Sequence, residues 1–226
     1  MDESYKELEE KVWKTDRCWS CGACVIVCPA EVINFDKYAE AYYIGKIGKR
    51  EAEEVIETFY TANMPVHEKE CVVTERSIPC GACYSVCPQT EPMNNIAKDL
   101  FENEKIEYED EYIGKIIGLF ASTSIENIRY AQSGGAVTTI LTAALEEDLI
   151  DGALIMSVDR LTMKPQAKVA VNPKEIISAA GSKYDWAPIM LAMKDAVENK
   201  KLKRLAIVGT PCVIRSARRM AASEND

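Results

Sequence analysis

The sequence lacks the features that would place it in several large classes. No apolar run approaches the ~18 residues of a membrane helix. The acidic, polar N-terminus Met1-Asp2-Glu3-Ser4 is no secretory signal. Positive charge is in deficit: 27 Lys and Arg against 36 Asp and Glu leave a net charge of −9, which argues against nucleic acid as the main partner. There is one histidine, His67, which reads as a surface residue, and no acid–base triad is evident, so no residue is singled out as catalytic. What is present is an ordinary soluble balance of 47% hydrophobic and 28% charged residues in 226. That composition excludes a disordered tail, a collagen-like repeat and a coiled coil, and leaves room for one large domain or two small ones.

The two halves differ. Residues 1–120 carry 24 acids and 13 bases, net −11, whereas residues 121–226 carry 12 acids and 14 bases, net +2. Eight of the nine cysteines precede residue 90, and only Cys212 follows. In a reducing compartment such cysteines read as metal ligands or redox groups before disulfides, which also points to a cytoplasmic location.

Cys18-x2-Cys21-x2-Cys24-x3-Cys28-Pro29 matches the bacterial ferredoxin run. Cysteines at intervals of three wrap a loop around one corner of a cubane. Soft thiolates suit iron, and Gly22 and Ala23 keep side chains clear so that backbone N–H groups can point at the cluster. The second run, Cys80-x2-Cys83-x3-Cys87-Pro88, lacks its first member, which Cys71 supplies. Eight thiols suffice for two [4Fe–4S] clusters. By the crossed rule for such runs, one cluster takes Cys18, Cys21, Cys24 and Cys87, and the other takes Cys28, Cys71, Cys80 and Cys83. Zinc favours paired C-x2-C knuckles over this spacing.

Two segments echo: Cys21–Cys24 returns at Cys80–Cys83, and Tyr43–Ile47 at Tyr112–Ile116. Their offsets differ, so they are no single duplication. Helices are expected over 3–15, with Leu8, Val12 and Trp13 as the apolar stripe, and over 50–63 and 92–103, with an acidic linker over 102–111 of which part could be a strand. The remainder alternates: strands at 113–120, 152–158, 168–171 and 205–208, and helices at 135–147, 173–180, 188–198 and 211–220. Such alternation implies an α/β sheet with some parallel strands. The last strand–helix pair leaves this sheet short, so the chain is expected to be truncated or completed by a partner.

Three small-residue turns punctuate this half. Ser133-Gly134-Gly135-Ala136-Val137-Thr138 opens a helix and could hold a phosphate, though its spacing is neither that of a Rossmann fingerprint nor that of a P-loop. Gly181-Ser182-Lys183-Tyr184 is a polar turn with a cation and a ring. Gly209-Thr210-Pro211-Cys212 follows a buried strand, where open α/β sheets bind ligands. Each also reads as an ordinary cap or strand–helix turn. The basic residues from Lys200 to Arg219 read as a solvated face.

Taken in order, the two ferredoxin-type runs, Ser133–Thr138, Leu149–Gly152, Ala180–Tyr184 and Val208–Cys212 resemble the beta subunits of coenzyme F420-dependent hydrogenases and dehydrogenases. The resemblance implies an α+β protein: a two-[4Fe–4S] ferredoxin-like domain over 1–108, then an α/β FAD-binding domain over 109–226 that is incomplete at its C-terminus. It implies that Ser133, Gly134, Gly135, Ala136, Val137 and Thr138 cradle FAD. Ser182, Lys183 and Tyr184 would line the flavin or coenzyme site, and Gly209, Thr210 and Pro211 would close it. It implies hydride exchange between FAD and coenzyme F420, and a hetero-oligomer with a catalytic subunit of the formate dehydrogenase or hydrogenase type. Two clusters and the second cysteine run favour the formate enzyme. Two departures stand out: Val213 replaces a usual Gln, and family members continue well past the Gly-Thr-Pro-Cys turn. A flavin-free electron-transfer module and a ferredoxin-dependent reductase of the same family are the alternatives.

Overall fold

The computed structural model describes residues 5–35, 65–67, 71, 80–90, 108–110, 114–125, 128–158, 165–184 and 187–223. The expected helices over 50–63 and 92–103 and the segment Tyr43–Ile47 lie outside them.

Helix α1 (Tyr5–Leu8) runs into a π-helical turn, Glu9–Trp13. Leu8, Val12 and Trp13 are buried, as their spacing predicts. They pack with Cys24, Val32, Ile33 and Tyr84 around two one-turn helices, α2 (Ala23–Ile26) and α3 (Ala82–Ser85). Each of these is preceded by a glycine in the left-handed region, Gly22 at φ +88° and Gly81 at φ +60°. The Cys-Gly-Ala-Cys echo is therefore conformational: glycine enters this region without the Cβ penalty, and the following Ala starts the helical turn. Strands β1 (Ile33–Phe35) and β2 (Pro65–His67) pair antiparallel, with His67 opposite Ile33.

Part of the acidic stretch read as a linker is a strand, as the sequence left open. β3 (Tyr108–Asp110) forms an antiparallel ladder with β4 (Gly114–Ile116). The strand expected to continue to Phe120 stops at Ile116. Leu119 and Phe120 are exposed and have no ladder to join.

The main sheet has three strands in the order β6-β5-β7: β5 (Gly152–Val158), β6 (Pro165–Ala170) and β7 (Leu205–Ile207). β5 runs antiparallel to β6 and parallel to β7, so the parallel pairing expected from sequence is realised once. The central strand is apolar on both faces, as burial on both sides requires. Ala153 and Ile155 face one way, against Ala170, Ile176, Leu141 and Leu145, under helices α4 (Ala136–Glu146) and α5 (Pro173–Ser178). Leu154 faces the other way, against Val169, Met190, Ala192, Ala196 and Val213, with α6 (Leu191–Lys194), a π-helical turn over Asp195–Asn199 and α7 (Pro211–Ser223) around it.

Ala23 of α2 and Val86 beyond α3 belong to that same cluster. The cysteine-rich half and the sheet half thus share a core. The Met190 N–H donates to the Cys21 carbonyl at 3.1 Å. Arg219 donates to the Ser85 carbonyl and the Thr90 hydroxyl at 3.1 and 3.0 Å. Lys194 pairs with Glu31.

The start of β5 is tied to the start of β7 through Asp151. Its carboxylate accepts from the Lys203 and Arg204 backbone N–H groups at 3.0 and 2.8 Å and from the Arg204 guanidinium at 2.6 and 3.1 Å. The guanidinium, followed by these amides, holds the carboxyl at about 2, below its usual range. A depressed folded pKa contributes stability that is full above the unfolded value of about 3.9 and is lost as pH falls toward about 2. Asp151→Asn is expected to lower the urea midpoint at pH 7, and its deficit relative to the unsubstituted chain should shrink below pH ~4. Urea unfolding followed by circular dichroism, with both chains compared at each pH, checks this. A deficit that stays constant through acid would contradict the clamp.

Candidate functional site

All nine cysteines are free thiols. Among the eight N-terminal ones, Cys18, Cys21, Cys24 and Cys87 lie near one another, and Cys83 lies near Cys28, Cys71 and Cys80. The Cys18 thiol interacts with those of Cys21 and Cys87, and the Cys24 thiol with those of Cys21, Cys18 and Cys87. The Cys83 thiol interacts with Cys28, Cys80 and Cys71. The two sets also adjoin, through Cys24 and Cys83.

Burial dominates their chemistry. It pushes the Cys18 and Cys83 thiols up to about 12 and Cys87 up to about 11, and it raises Cys21 and, most strongly, Cys24. Backbone amides oppose it. The Ser20 N–H donates to Cys18 Sγ at 3.4 Å. Ala23 does so for Cys21, Tyr84 for Cys83, and Gln89 and Thr90 for Cys87. Sulfurs held in an apolar interior with N–H groups aimed at them are the surroundings of ligands whose charge a metal takes up, with loss of the thiol protons on binding.

The donor set fits the clusters read from sequence. Val12, Trp13, Trp19, Gly22, Ala23, Pro88 and Gln89 line a small cavity together with Cys18, Cys21, Cys24 and Cys87. Among the described residues no three His, Cys, Asp or Glu side chains converge as ligands of a single ion do. A cubane takes one thiolate at each of four irons and so spaces its sulfurs more widely than a tetrahedral zinc ion.

The second feature is an open groove of about 540 Å³ at the carboxyl end of β5, where β6 begins. Tyr130, Gln132, Val158, Pro165 and the turn Ala180–Tyr184 line it. Of the residues expected at a flavin, Ser182, Lys183 and Tyr184 are here. The Ser182 N–H donates to the Gln132 side chain at 3.1 Å, which fixes the two turns side by side. Lys183 lines the groove, but its ammonium donates to the Ala179, Ala180 and Gly181 carbonyls at 2.5, 3.0 and 2.7 Å, beyond the end of α5. It satisfies carbonyls that the helix end leaves open.

Ser133–Thr138 begins directly after Gln132. The conformation of its glycines has a cause within the protein: a Cβ on Gly134 (φ +69°) would stand 3.0 Å from Thr123 Oγ1 and 3.1 Å from the Ser122 carbonyl oxygen. Gly209, Thr210 and Pro211 do not line the groove. They lead into α7 on the other face, where the Thr210 hydroxyl and the Cys212 thiol share a hydrogen bond at 2.9 Å. Cys212 in turn faces Cys18 and Cys21.

Sequence reasoning missed Tyr130, Gln132 and Arg129, whose guanidinium lies 4.7 Å from the centre of the Tyr130 ring. Only the position of Gln132 just before the glycine turn could have flagged it. Ser216 was also missed. It is fully buried on α7 and turned to Cys21.

Residues 17–91 match the 4Fe-4S dicluster domain, and residues 120–194 match the N-terminal domain of the coenzyme F420 hydrogenase/dehydrogenase beta subunit. An uncharacterized protein of Methanocaldococcus jannaschii is 40% identical over 99% of this chain and 58% of its own length. The coenzyme F420 hydrogenase subunit beta of Methanococcus voltae is 35% identical over 44% of this chain and 35% of its own length. The coenzyme F420-dependent sulfite reductase of Methanocaldococcus jannaschii is 29% identical over 90% of this chain and 25% of its own length. The chain thus spans little more than half of the first of these relatives and less of the others.

Gly22 joins the two features of the cysteine loop. At φ +88° a side chain costs about 1–2 kcal/mol. A Cβ there would also stand 3.2 Å from Pro188 Cβ and 3.3 Å from Leu191 Cγ. Gly22→Ala is expected to lower the melting temperature by several degrees and to weaken iron retention, as read by calorimetry and by iron content of the same preparations. An unchanged melting temperature would show that the loop tolerates a different path.

Proposed function

The chain belongs to the coenzyme F420 hydrogenase/dehydrogenase beta subunit family, and we propose that it is the iron–sulfur flavoprotein subunit of an F420-linked oxidoreductase. In this reading electrons pass between coenzyme F420 and a catalytic partner subunit in a hetero-oligomer, with a formate dehydrogenase as the partner. The observation that carries this reading is the proximity of Cys18, Cys21, Cys24 and Cys87, and of Cys83 to Cys28, Cys71 and Cys80, packed against the sheet whose strand ends bear the groove. The division of labour falls near residue 108, with clusters before it and flavin after it.

Bound clusters supply one-electron transfer, and a bound flavin links it to the hydride chemistry of the deazaflavin. The chain's own residues do the positioning. Cys18, Cys21, Cys24 and Cys87 hold the cluster nearer α7, and Cys28, Cys71, Cys80 and Cys83 hold the other. The amides of Ser20, Ala23, Tyr84, Gln89 and Thr90 stabilise the thiolates. Ser182 and Tyr184 face the groove, while Lys183 holds the turn in shape through the carbonyls around Ala180. Among the described residues no helix is long and apolar enough to cross a membrane.

A second reading, a flavin-free electron-transfer module, is favoured by two observations. The Lys183 ammonium is committed to carbonyls, and the approach of the 122–124 loop accounts for Gly134 without a cofactor. Cofactor content after anoxic purification separates the two. The flavoprotein reading expects about eight irons with matching acid-labile sulfide and about one FAD per chain, followed by FAD-dependent reduction of coenzyme F420. Eight irons without flavin, even after added FAD, would leave the electron-transfer module. Zinc in place of iron would sink both. Cys87→Ser is expected to cut iron to about four per chain and to spare one cluster, as read by iron analysis and electron paramagnetic resonance of the reduced protein.

A further inference from the structure

Helix α7 carries Cys212, Ser216 and Arg219 at i, i+4 and i+7, on one stripe. That stripe faces the first thiol set: Cys212 toward Cys18 and Cys21, Ser216 toward Cys21, and Arg219 toward Cys87. Ser216 is the unusual member. It is fully buried, and its hydroxyl oxygen has no hydrogen-bond partner of normal geometry among the described residues.

Helical hydroxyls ordinarily settle on a carbonyl one turn back. Ser85 does so with the Ala82 carbonyl, Ser178 with that of Glu175 and Thr139 with that of Gly135. Ser216 does not. A buried hydroxyl left unsatisfied costs on the order of 1–3 kcal/mol, so its orientation toward Cys21 calls for an acceptor on that side. A neutral thiol is a poor acceptor and an iron-bound thiolate is a good one.

We propose that Ser216 donates an O–H···S hydrogen bond to the Cys21 thiolate of the cluster held by Cys18, Cys21, Cys24 and Cys87, and so raises that cluster's reduction potential. One electron enters the cluster on reduction and no bond breaks. The added negative charge is stabilised by a donor that already points at the ligand sulfur. Arg219 adds positive charge on the Cys87 side of the same set. Around Cys83 the opposing hydrogen bond comes from the backbone of Tyr84. The two clusters therefore sit in unequal surroundings, and the one beside α7 is the better electron acceptor.

This inference rests on the two-cluster reading, and the test separates the two. The full chain, purified anoxically, is titrated with dithionite and redox mediators while the reduced clusters are followed by electron paramagnetic resonance. Ser216→Ala, and the size-matched pair Ser216→Thr and Ser216→Val, are compared with the unsubstituted chain. The Ala and Val variants are expected to shift one of the two reduction steps downward, leaving that cluster about tenfold less reduced at the original midpoint, or ~59 mV. The Thr variant should keep the original midpoint, and the other step should not move.

Midpoints unchanged in the Ala and Val variants with full iron content would overturn the role of Ser216. So would equal shifts, or equal iron loss, in the Thr and Val variants, which would mark the position as one of packing. An unsubstituted chain without two reducible clusters would overturn the cluster reading and this inference with it.

Discussion

The structure depends on one constraint: its N-terminal sulfurs are held in an apolar interior, away from water. A thiolate in an apolar interior is costly unless a metal and hydrogen-bond donors share its charge. The N-terminal half is built to that requirement. Trp13, Val12 and Tyr84 make the surroundings apolar, and that is what drives the thiols of Cys18, Cys83 and Cys87 up. The left-handed glycines at 22 and 81 turn the chain so that Ala23 and Tyr84 present their amides to the sulfurs. Two one-turn helices cannot form an independent core, and they borrow one from the sheet.

That borrowing explains why the two halves are not beads on a linker. β5 is buried on both faces because each face has a different client. Ala153 and Ile155 support α4 and α5, and Leu154 supports the layer that meets Ala23 and Val86. A side-chain period of two thus sends neighbouring residues of one strand to opposite tasks. Packing does not stop at the boundary expected near residue 108, since Met190, Lys194 and Arg219 all bond across it.

Much of this was legible in the sequence. Where one local rule decides the outcome, the reading held: the stripe Leu8, Val12 and Trp13, the strand over 152–158, and the helices opened by Pro173 and Pro211. The failures share a cause. Ile113–Phe120 looked like one strand because it is apolar, but a ladder lasts only as long as its partner, and β4 has three residues. For Lys183, which lines the groove, sequence does not show the open carbonyls around Ala180 to which its ammonium donates. Ser216 carried no signal at all, since a lone serine in a basic, amphipathic helix reads as solvated until its neighbours across the fold are known.

The arrangement of the sheet also bears on how electrons could cross the molecule. β5 and β7 are parallel, so their carboxyl ends share an edge. At that edge Val158 lines the groove, and the chain leaving β7 turns through Gly209–Pro211 into α7, whose Cys212 and Ser216 meet the first thiol set. A Cβ on Gly209 would stand 2.8 Å from the Val213 side chain, so this turn is as tight as the backbone allows. The groove and the first thiol set are thus both tied to the carboxyl edge of one sheet, and the two thiol sets adjoin through Cys24 and Cys83. A single tight turn therefore connects the strand edge at the groove to the helix that meets the first thiol set.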